Sequence, residues 1–404
     1  TYKDVFPIVG VGAGIASILG KNGSEFISQQ YNAVTPGTEM KPDAILGSTI
    51  GKLVKPTDEV SADKTDFITV EDAKSMGYII PDNYISYDDN RFKSATGEYA
   101  VPRLNFDNVD KLMKAAHENG VKLRGHTLVW HQQTPKYFFQ QNYKITTGQK
   151  YNTSKECMDT RLEFYVKTVM NHVLSSEYAD CLYSYDVVNE YLHSANAEKD
   201  SKNITYWGLI YGTYDKSVKD HGVTLRPSYV KDAFKYAHEM LVKYDRLDVK
   251  LIYNDYNCYQ NPENIIHLVD YINSDGKVCD GIGMQSHLDI TDSFHSATNY
   301  AKALEYFRLN CPDLEIQITE LDATMVSTED KPLTDEDQAA YYDQIMNAIL
   351  TNKKNGGNIT ALIIWSLYDG VSWRPAKFPC LFNGLYMPKA AFYAVIDAKK
   401  QYWD

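Results

Sequence analysis

Short apolar runs rich in β-branched residues alternate with amphipathic stretches along this chain of 404 residues. In "NFDNVDKLMKAAHENG" (105–120), apolar residues recur at helical spacing between Asp107, a candidate N-cap, and Gly120, a candidate C-cap. A second stretch of this kind covers residues 226–244. Eight apolar runs separate such helices; they cover residues 5–14, 32–41, 121–130, 182–190, 249–256, 281–288, 315–322 and 361–369. This alternation predicts parallel βαβ units, and eight units close into a (β/α)8 TIM barrel of the α/β class.

An open, doubly wound sheet is the competing fold for the same alternation. In that fold the first strand is commonly followed by a Gly-rich phosphate-binding signature. Here "GVGAG" ends the first run, and the rest of the signature does not follow. The barrel is therefore favoured.

Polar and aromatic residues concentrate at the ends of the predicted strands. They are Lys41, His126, Trp130, Glu190, Tyr256, His287, Glu320 and Trp365. A single one of them would suggest a core histidine or a helix cap. In a barrel the carboxyl ends of all strands converge on one face, so the whole set predicts an active site there.

Residues 47–104 form one connection that is much longer than a usual loop between a strand and its helix. The segment is polar, acidic and rich in tyrosine. Because it follows the second strand, we expect an insertion on the catalytic face of a single catalytic domain covering residues 1–404.

The charge and composition of the chain argue against several classes of function. The formal net charge is −12 and no run of Lys and Arg forms a basic patch, which argues against nucleic acid or an anionic membrane as a partner. The apolar segment 5–20 is too short and too rich in glycine to span a bilayer. The six cysteines lack C-x-x-C spacing and are either free thiols or one or two disulfides.

Glu190 and Glu320 end the fourth and seventh predicted strands. Two carboxyl groups across a sugar-sized pocket are the usual equipment for cleaving a glycosidic bond, one as proton donor and one as nucleophile or base. Asn189, next to Glu190, is placed to donate a hydrogen bond to a sugar 2-hydroxyl.

At this point the chain resembles a known family. The sequences "EMK" (39–41), "RGHTLVWHQQTP" (124–135), "YDVVNE" (185–190), "YNDYN" (253–257), "GIGMQSHL" (281–288), "ITELD" (318–322) and "IIWSLYDGVSWRP" (363–375) occur in order, one at each of seven strand ends. They are similar to those of glycoside hydrolase family 10, the endo-β-1,4-xylanases with a (β/α)8 barrel.

The resemblance implies xylan hydrolysis by double displacement with retention of anomeric configuration. It implies Glu190 as general acid/base and Glu320 as nucleophile, supported by His287 and Gln285. It assigns the remaining substrate contacts to Lys41, His126, Trp130, Gln133 and Asn189 on the glycone side, to Trp365 and Trp373 around the attacked sugar, and to Tyr256 at the first aglycone sugar. Arg374 and Asp255 are expected behind these contacts, and no metal or other cofactor is implied.

One family feature differs. A Glu-Asn pair normally precedes "EMK", whereas this chain has Gly37 and Thr38. The change should weaken the second glycone subsite. We hypothesise that tyrosines of the insertion 47–104 rebuild this end of the cleft, so that arabinose-decorated xylan is accepted; a surface flap unrelated to substrate is the alternative.

Three other functions remain as alternatives. They are a metal-dependent hydrolase using His126, His131 and His287, a non-catalytic xylo-oligosaccharide-binding protein, and a retaining glycosidase acting on another β-1,4-glycan. The expected partners are xylan or xylo-oligosaccharides, without nucleic acid or membrane, and the protein is expected to be a monomer. Because a polymer cannot enter a cell, secretion is expected, although the printed chain carries no signal peptide.

Overall fold

In the computed structural model, eight parallel strands close into a barrel. The structure describes residues 2–47, 67–85, 99–144, 152–195, 205–326, 332–384 and 386–404. The barrel strands are β1 (Ile8–Ala13), β2 (Ala33–Pro36), β3 (Lys122–Trp130), β4 (Leu182–Asn189), β5 (Lys250–Asp255), β6 (Gly281–Met284), β7 (Glu315–Thr324) and β8 (Ile359–Trp365). Each strand pairs in parallel with its neighbours in chain order, and β8 pairs with β1. The predicted (β/α)8 barrel is confirmed.

Helices surround the barrel. The longer ones span Lys21–Gln30, Asp107–Glu118, Lys155–Ser175, Ser228–Lys243, Pro262–Ile272, Ala297–Asn310, Asp335–Lys354 and Ala390–Tyr402, and shorter ones span Ile15–Leu19, Pro42–Leu46, Val70–Ser75 and Tyr206–Tyr211. None of the helices in the described ranges is long and apolar enough to cross a bilayer.

The predicted helix 105–120 illustrates how its sequence sets its ends. The helix begins at Asp107, so the N-cap is Phe106, one residue earlier than expected, and Phe106 makes no side-chain capping bond. The Asp107 N–H donates instead to the side chain of Asn105 at 3.0 Å. At the other end Gly120 has φ +64°, a left-handed conformation that favours glycine just beyond a helix.

Three short pairings complete the fold. Phe67–Thr69 pairs antiparallel with Tyr99–Pro102, and Phe382–Asn383 pairs antiparallel with Met387–Pro388. His287–Asp289 adds to β7 in parallel, after a break in the predicted strand 281–288. All six cysteines are free thiols, and all but Cys311 are buried.

An ion pair occupies the barrel interior. Arg124 on β3 and Asp186 on β4 are fully buried, and the guanidinium binds both carboxylate oxygens of Asp186. A further guanidinium nitrogen contacts Gln317 on β7. A buried charge needs such a partner to offset its desolvation, so three strands are linked through one charged group.

Candidate active site

A cavity of about 800 Å³ opens at the carboxyl ends of the barrel strands. Every residue that the sequence assigned to catalysis or substrate binding lines it: Lys41, His126, Trp130, Gln133, Asn189, Glu190, Tyr256, Gln285, His287, Glu320, Trp365 and Trp373. Gly37, Thr38 and Arg374 line the same cavity. The residues come from the ends of seven strands, β2 to β8, which is how a parallel barrel assembles one site from distant chain segments.

Glu190 follows the last residue of β4 in a left-handed conformation with φ +59°. Its backbone N–H donates to the Asn254 carbonyl at 2.8 Å. A non-glycine residue in this conformation is strained by about 1 kcal/mol or more, and such strain concentrates at functional sites. The turn buries the carboxyl group, which accepts hydrogen bonds from Trp130 Nε1 at 2.8 Å and Gln285 Nε2 at 2.9 Å.

The surroundings of Glu190 favour its protonated form. Burial raises the pKa of Glu190, the hydrogen bonds from Gln285 and Trp130 lower it, and the charges of Asp255 and Glu320 raise it further. The net shift is upward. A carboxyl group with a raised pKa is suited to donate a proton at mildly acidic or neutral pH.

Glu320 lies in a different electrostatic environment on β7. Its carboxylate accepts a hydrogen bond from Asn254 Nδ2 at 2.9 Å and contacts His287 Nε2 at 3.0 Å. Burial alone would raise the pKa of Glu320, but His287, the nearby His126 and the Asn254 amide lower it to about 2. Glu320 is therefore ionised over the whole range in which an enzyme of this kind would work.

His287 is held as a cation. Its Nδ1 contacts Asp322 Oδ1 at 2.8 Å while its Nε2 contacts Glu320. Burial would lower the pKa of His287, but these two carboxylates raise it to about 10. Both ring nitrogens thus carry protons, and Asp322 fixes the ring toward the nucleophile.

The assignment of Gln285 to the nucleophile is wrong. Its Nε2 donates to Glu190 and to Asn189 Oδ1, at 2.9 and 3.1 Å, and its backbone N–H donates to the Asp255 carbonyl. That backbone bond keeps Gln285 on the side of β4 and β5. The amide that contacts Glu320 is Asn254, which lies within the motif "YNDYN" and has no role assigned to it from the sequence.

Asn254 also orients Asn189. The Asn189 Oδ1 accepts hydrogen bonds from Asn254 Nδ2 at 2.9 Å and from Gln285. Because its carbonyl oxygen is bound twice, the remaining group of Asn189 in the cavity is the NH₂, a hydrogen-bond donor. This is the orientation expected of a residue that donates to a sugar hydroxyl.

The glycone side combines a cation, an amide and an imidazole. Lys41 Nζ donates to Gln133 Oε1 at 3.1 Å and lies 4.8 Å from the centre of the Trp130 ring. His126 Nδ1 contacts Asp186 at 2.8 Å, so its Nε2 is the nitrogen left for substrate. Asp186 and its partner Arg124 were missed in the sequence; a charged residue inside the apolar run 182–190 was the available signal.

Trp365 needs a glycine opposite it. A Cβ atom at Gly12 on β1 would lie 2.4 Å from Trp365 Cε3, so only glycine lets the indole lie against β1. Trp373 has a different setting: its side chain is 51% exposed and its Nε1 donates to Asp322 Oδ2 at 2.8 Å. One tryptophan is thus part of the cavity floor and the other is a partly open wall.

Tyr256 is backed by a histidine. The rings of His193 and Tyr256 stack with centroids 3.8 Å apart. Asp255 Oδ1 contacts His193 Nδ1 at 2.7 Å and accepts the Tyr256 N–H at 2.9 Å. Asp255 lies behind the cavity wall, as expected, whereas Arg374 belongs to the wall itself.

The changed glycone end is open. A Cβ atom at Gly37 would meet no atom of the described residues within 4 Å, so these residues leave space beside it. None of the described insertion residues lines the cavity. Ile79 and Ile85 donate backbone hydrogen bonds to Thr168 and Thr160 of the helix Lys155–Ser175. Residues 48–66 and 86–98 lie outside the described residues, so the role of the insertion stays a prediction.

Comparison with known proteins agrees with the resemblance seen in the sequence. The model of Glycosyl hydrolase family 10 matches residues 1–398. Endo-1,4-β-xylanase A of Butyrivibrio fibrisolvens is 39% identical over 373 residues, which are 92% of this chain and 77% of that protein. Three further xylanase relatives are longer, and this chain spans 24–33% of their length.

Solved structures show the same similarity. The carbohydrate-binding and family 10 modules of a Clostridium thermocellum endo-1,4-β-D-xylanase, complexed with xylohexaose, match with a TM-score of 0.70 at 26% identity, covering 96% of this chain and 65% of that chain. An intracellular xylanase of Thermoanaerobacterium saccharolyticum matches with a TM-score of 0.67 at 25% identity, covering 98% and 96% of the two chains.

Proposed function

Because the chain belongs to glycosyl hydrolase family 10, we propose that it hydrolyses internal β-1,4 bonds of xylan with retention of anomeric configuration. The observation that carries this proposal is the pair of carboxyl groups in one cavity. Glu190 has a raised pKa and Glu320 a pKa of about 2. A proton donor and an ionised nucleophile are the two groups that the reaction requires.

In the first step the ionised Glu320 attacks the anomeric carbon of the sugar on the glycone side. The bond from that carbon to the bridging oxygen breaks, and Glu190 transfers its proton to this oxygen as the aglycone leaves. Glu320 is then covalently bound to the sugar, and Glu190 is a carboxylate.

In the second step Glu190 acts as base. It takes a proton from a water molecule whose oxygen attacks the anomeric carbon, and the bond to Glu320 breaks. Glu190 is again protonated and Glu320 again ionised. Two inversions at one carbon give net retention.

The surrounding side chains position the sugar for these steps. Asn189 presents its NH₂ group, His126 its Nε2 and Lys41 its ammonium group to the glycone side. Hydrogen bonds from Asn189 to the sugar strengthen as charge develops at the anomeric centre. Tyr256, stacked on His193, offers its other face to the first aglycone sugar.

Product analysis on linear β-1,4-xylan tests the proposal. The parent enzyme should release short xylo-oligosaccharides, and Glu320→Gln should release almost none, because an amide cannot attack the anomeric carbon. Activity that is unchanged by a chelator would count against the metal-dependent alternative. Products from a β-1,4-glucan but not from xylan would overturn the proposed substrate.

Tolerance for arabinose is a finer part of the proposal. The described residues leave space beside Gly37 for a branch on a glycone sugar, and residues 48–66 follow Gly37 closely in the sequence. Replacing residues 48–66 by a Gly/Ser chain of equal length should raise KM for arabinose-branched xylan more than for linear xylan. An unchanged ratio of the two KM values would remove the insertion from substrate recognition.

Secretion and a monomeric state are also proposed. Secretion is supported by the size of the substrate, since intact xylan must be cut outside the cell. Activity in the culture medium of the source cells would support it, and activity confined to the cell lysate would contradict it. Light scattering of the purified chain should give a mass near 46.0 kDa, whereas twice that mass would show a dimer.

A further inference from the structure

Arg374 stands on the cavity wall next to the catalytic groups. Its guanidinium carbon lies 3.8 Å from the centre of the Trp373 ring. Trp373 is itself fixed by the hydrogen bond from its Nε1 to Asp322, the carboxylate that orients His287. Arg374 therefore packs against the group of side chains that supports the nucleophile Glu320.

The backbone around Arg374 is held in place. Its N–H donates to Ser372 Oγ at 3.1 Å and its carbonyl accepts the Lys377 N–H at 2.9 Å. The Lys377 carbonyl in turn accepts the Met325 N–H, just beyond β7, at 2.8 Å. The guanidinium thus projects from a short loop that is bonded to the barrel, so little backbone entropy is lost when it binds a ligand.

Arg374 has no anionic partner among the residues that the structure describes. Arg246 and Arg308 each pair with a carboxylate, Asp248 and Glu305. Two carboxylates on this side of the cavity are bound to other groups: Asp322 to His287 and Trp373, and Asp289 to Thr291. In a chain with a net charge of −12, an unpaired guanidinium in the substrate cavity is conspicuous.

The geometry of the stack determines what this group can recognise. One face of the guanidinium covers the indole, which leaves its N–H edges free for ligands in its own plane. A carboxylate fits such an edge with two parallel hydrogen bonds. A neutral hydroxyl would use one donor only.

The second polar group on this wall is His295. Its Nδ1 accepts the Asp289 N–H at 2.8 Å, which leaves Nε2 as the protonated nitrogen of the neutral ring. Burial lowers the pKa of His295, the charges of Asp292 and Asp289 raise it, and the positive charge of Arg374 lowers it, with a net shift downward. The wall therefore offers a cation and a neutral donor to a bound ligand.

We propose that Arg374 binds the carboxylate of a uronic acid branch on a xylose unit next to the cleavage point. The inference rests on the proposed xylanase function and specifies its substrate as xylan with acidic branches. An acidic protein repels an acidic polymer unless a cation offsets the repulsion locally. Arg374 supplies such a cation on the wall beside Trp373, in addition to Lys41 on the glycone side.

The test compares three polymers with the purified full chain. They are unbranched xylan, xylan with uronic acid branches, and the same branched xylan after chemical reduction of its carboxyl groups to primary alcohols. The reduced polymer keeps the branch and loses only the charge. The readout is kcat/KM on each polymer, repeated at low and high salt.

The parent enzyme should favour the acidic polymer over the reduced one by about tenfold, since hydrogen bonds to charged groups contribute about twice as much as neutral ones. High salt should shrink this preference. Arg374→Gln should abolish it, and Arg374→Lys should keep only part of it because an ammonium group lacks the planar fork. Lys377→Gln removes one exposed positive charge from the same loop and should keep the full preference.

Two results would overturn the inference. One is a parent enzyme that does not distinguish the acidic polymer from the reduced one; the other is a preference that survives in Arg374→Gln. In both cases hydrolysis of unbranched xylan would leave the proposed function standing. Failure to cut any of the three polymers would instead contradict the proposed function.

Discussion

Glu190 and Glu320 each accept two hydrogen bonds in the same buried cavity, yet their pKa values move in opposite directions. The number of bonds does not separate them. Glu190 receives its bonds from neutral donors, an amide and an indole. Glu320 receives one from an amide and one from His287, a cation held by Asp322. The cationic donor His287, together with the nearby His126, therefore separates the nucleophile from the acid.

Removing the positive charge of His287 should shift the acidic limb of the pH profile of kcat/KM. In His287→Gln the pKa of Glu320 should rise, since burial then dominates. Glu320 would be protonated over a wider acidic range and unable to attack, so the acidic limb of kcat/KM should move to higher pH. The profile is measured on xylopentaose; an acidic limb that stays in place would show that His287 does not set the ionisation of Glu320.

Trp130→Phe should shift the alkaline limb of the pH profile of kcat/KM. The indole hydrogen bond lowers the pKa of Glu190, so its loss should raise that pKa and extend the protonated form upward. The alkaline limb of kcat/KM on xylopentaose should shift to higher pH, even if KM also rises through lost sugar contact. A shift to lower pH would contradict the assignment of Glu190 as the acid.

Glu190→Gln should reveal its role through the leaving group. Loss of a general acid costs roughly 10²- to 10⁴-fold in rate, but a dinitrophenolate leaves without protonation. Burst kinetics on dinitrophenyl xylobioside should therefore show nearly normal formation of the glycosyl-enzyme, while xylan hydrolysis collapses. Glu320→Gln is the matched control and should fail on both substrates.

At the level of the strands, the order of strands and helices could be predicted because apolar runs and amphipathic stretches alternate regularly. The strand ends could be predicted because polar residues interrupt the apolar runs. The break between β6 and His287–Asp289 at Ser286, which has φ +65°, could not be predicted, because the run 281–288 contains no local signal for it. That break lets Gln285 reach Glu190 while His287 reaches Glu320. The role of Asn254 was equally hidden, since only the three-dimensional neighbourhood of β5 and β7 distinguishes one amide from another.

The contact between β1 and β8 predicts a steric requirement. Gly12→Ala places a methyl group within 2.4 Å of the Trp365 ring, so the indole must shift and the free energy of unfolding should fall by about 1–3 kcal/mol. Gly37→Ala, which meets no atom within 4 Å, should change it little. Denaturant unfolding measures both; equal stability of the two variants would show that the indole moves away without cost.

Across the whole molecule, the closed barrel brings Glu190 and Glu320 into one cavity although they lie far apart in the sequence. The position of the insertion 47–104 after the second strand predicted the catalytic face, but its sequence has no periodicity that fixes where it packs. Its described parts contact Thr160 and Thr168 on an outer helix. Arg374 was misplaced for a similar reason: the sequence shows a cation next to Trp373 but not that its guanidinium packs on that ring at the cavity wall.

The central claim is that Glu320 bonds covalently to the sugar while Glu190 handles the proton. The most direct test is mass spectrometry of the enzyme after incubation with a 2-deoxy-2-fluoro xylobioside carrying a dinitrophenyl group. Fluorine slows both steps, and the activated leaving group speeds up only the first, so the glycosyl-enzyme accumulates. The account predicts one adduct per chain, on the peptide that contains Glu320. An adduct on Glu190, or free product of inverted configuration without any adduct, would contradict it.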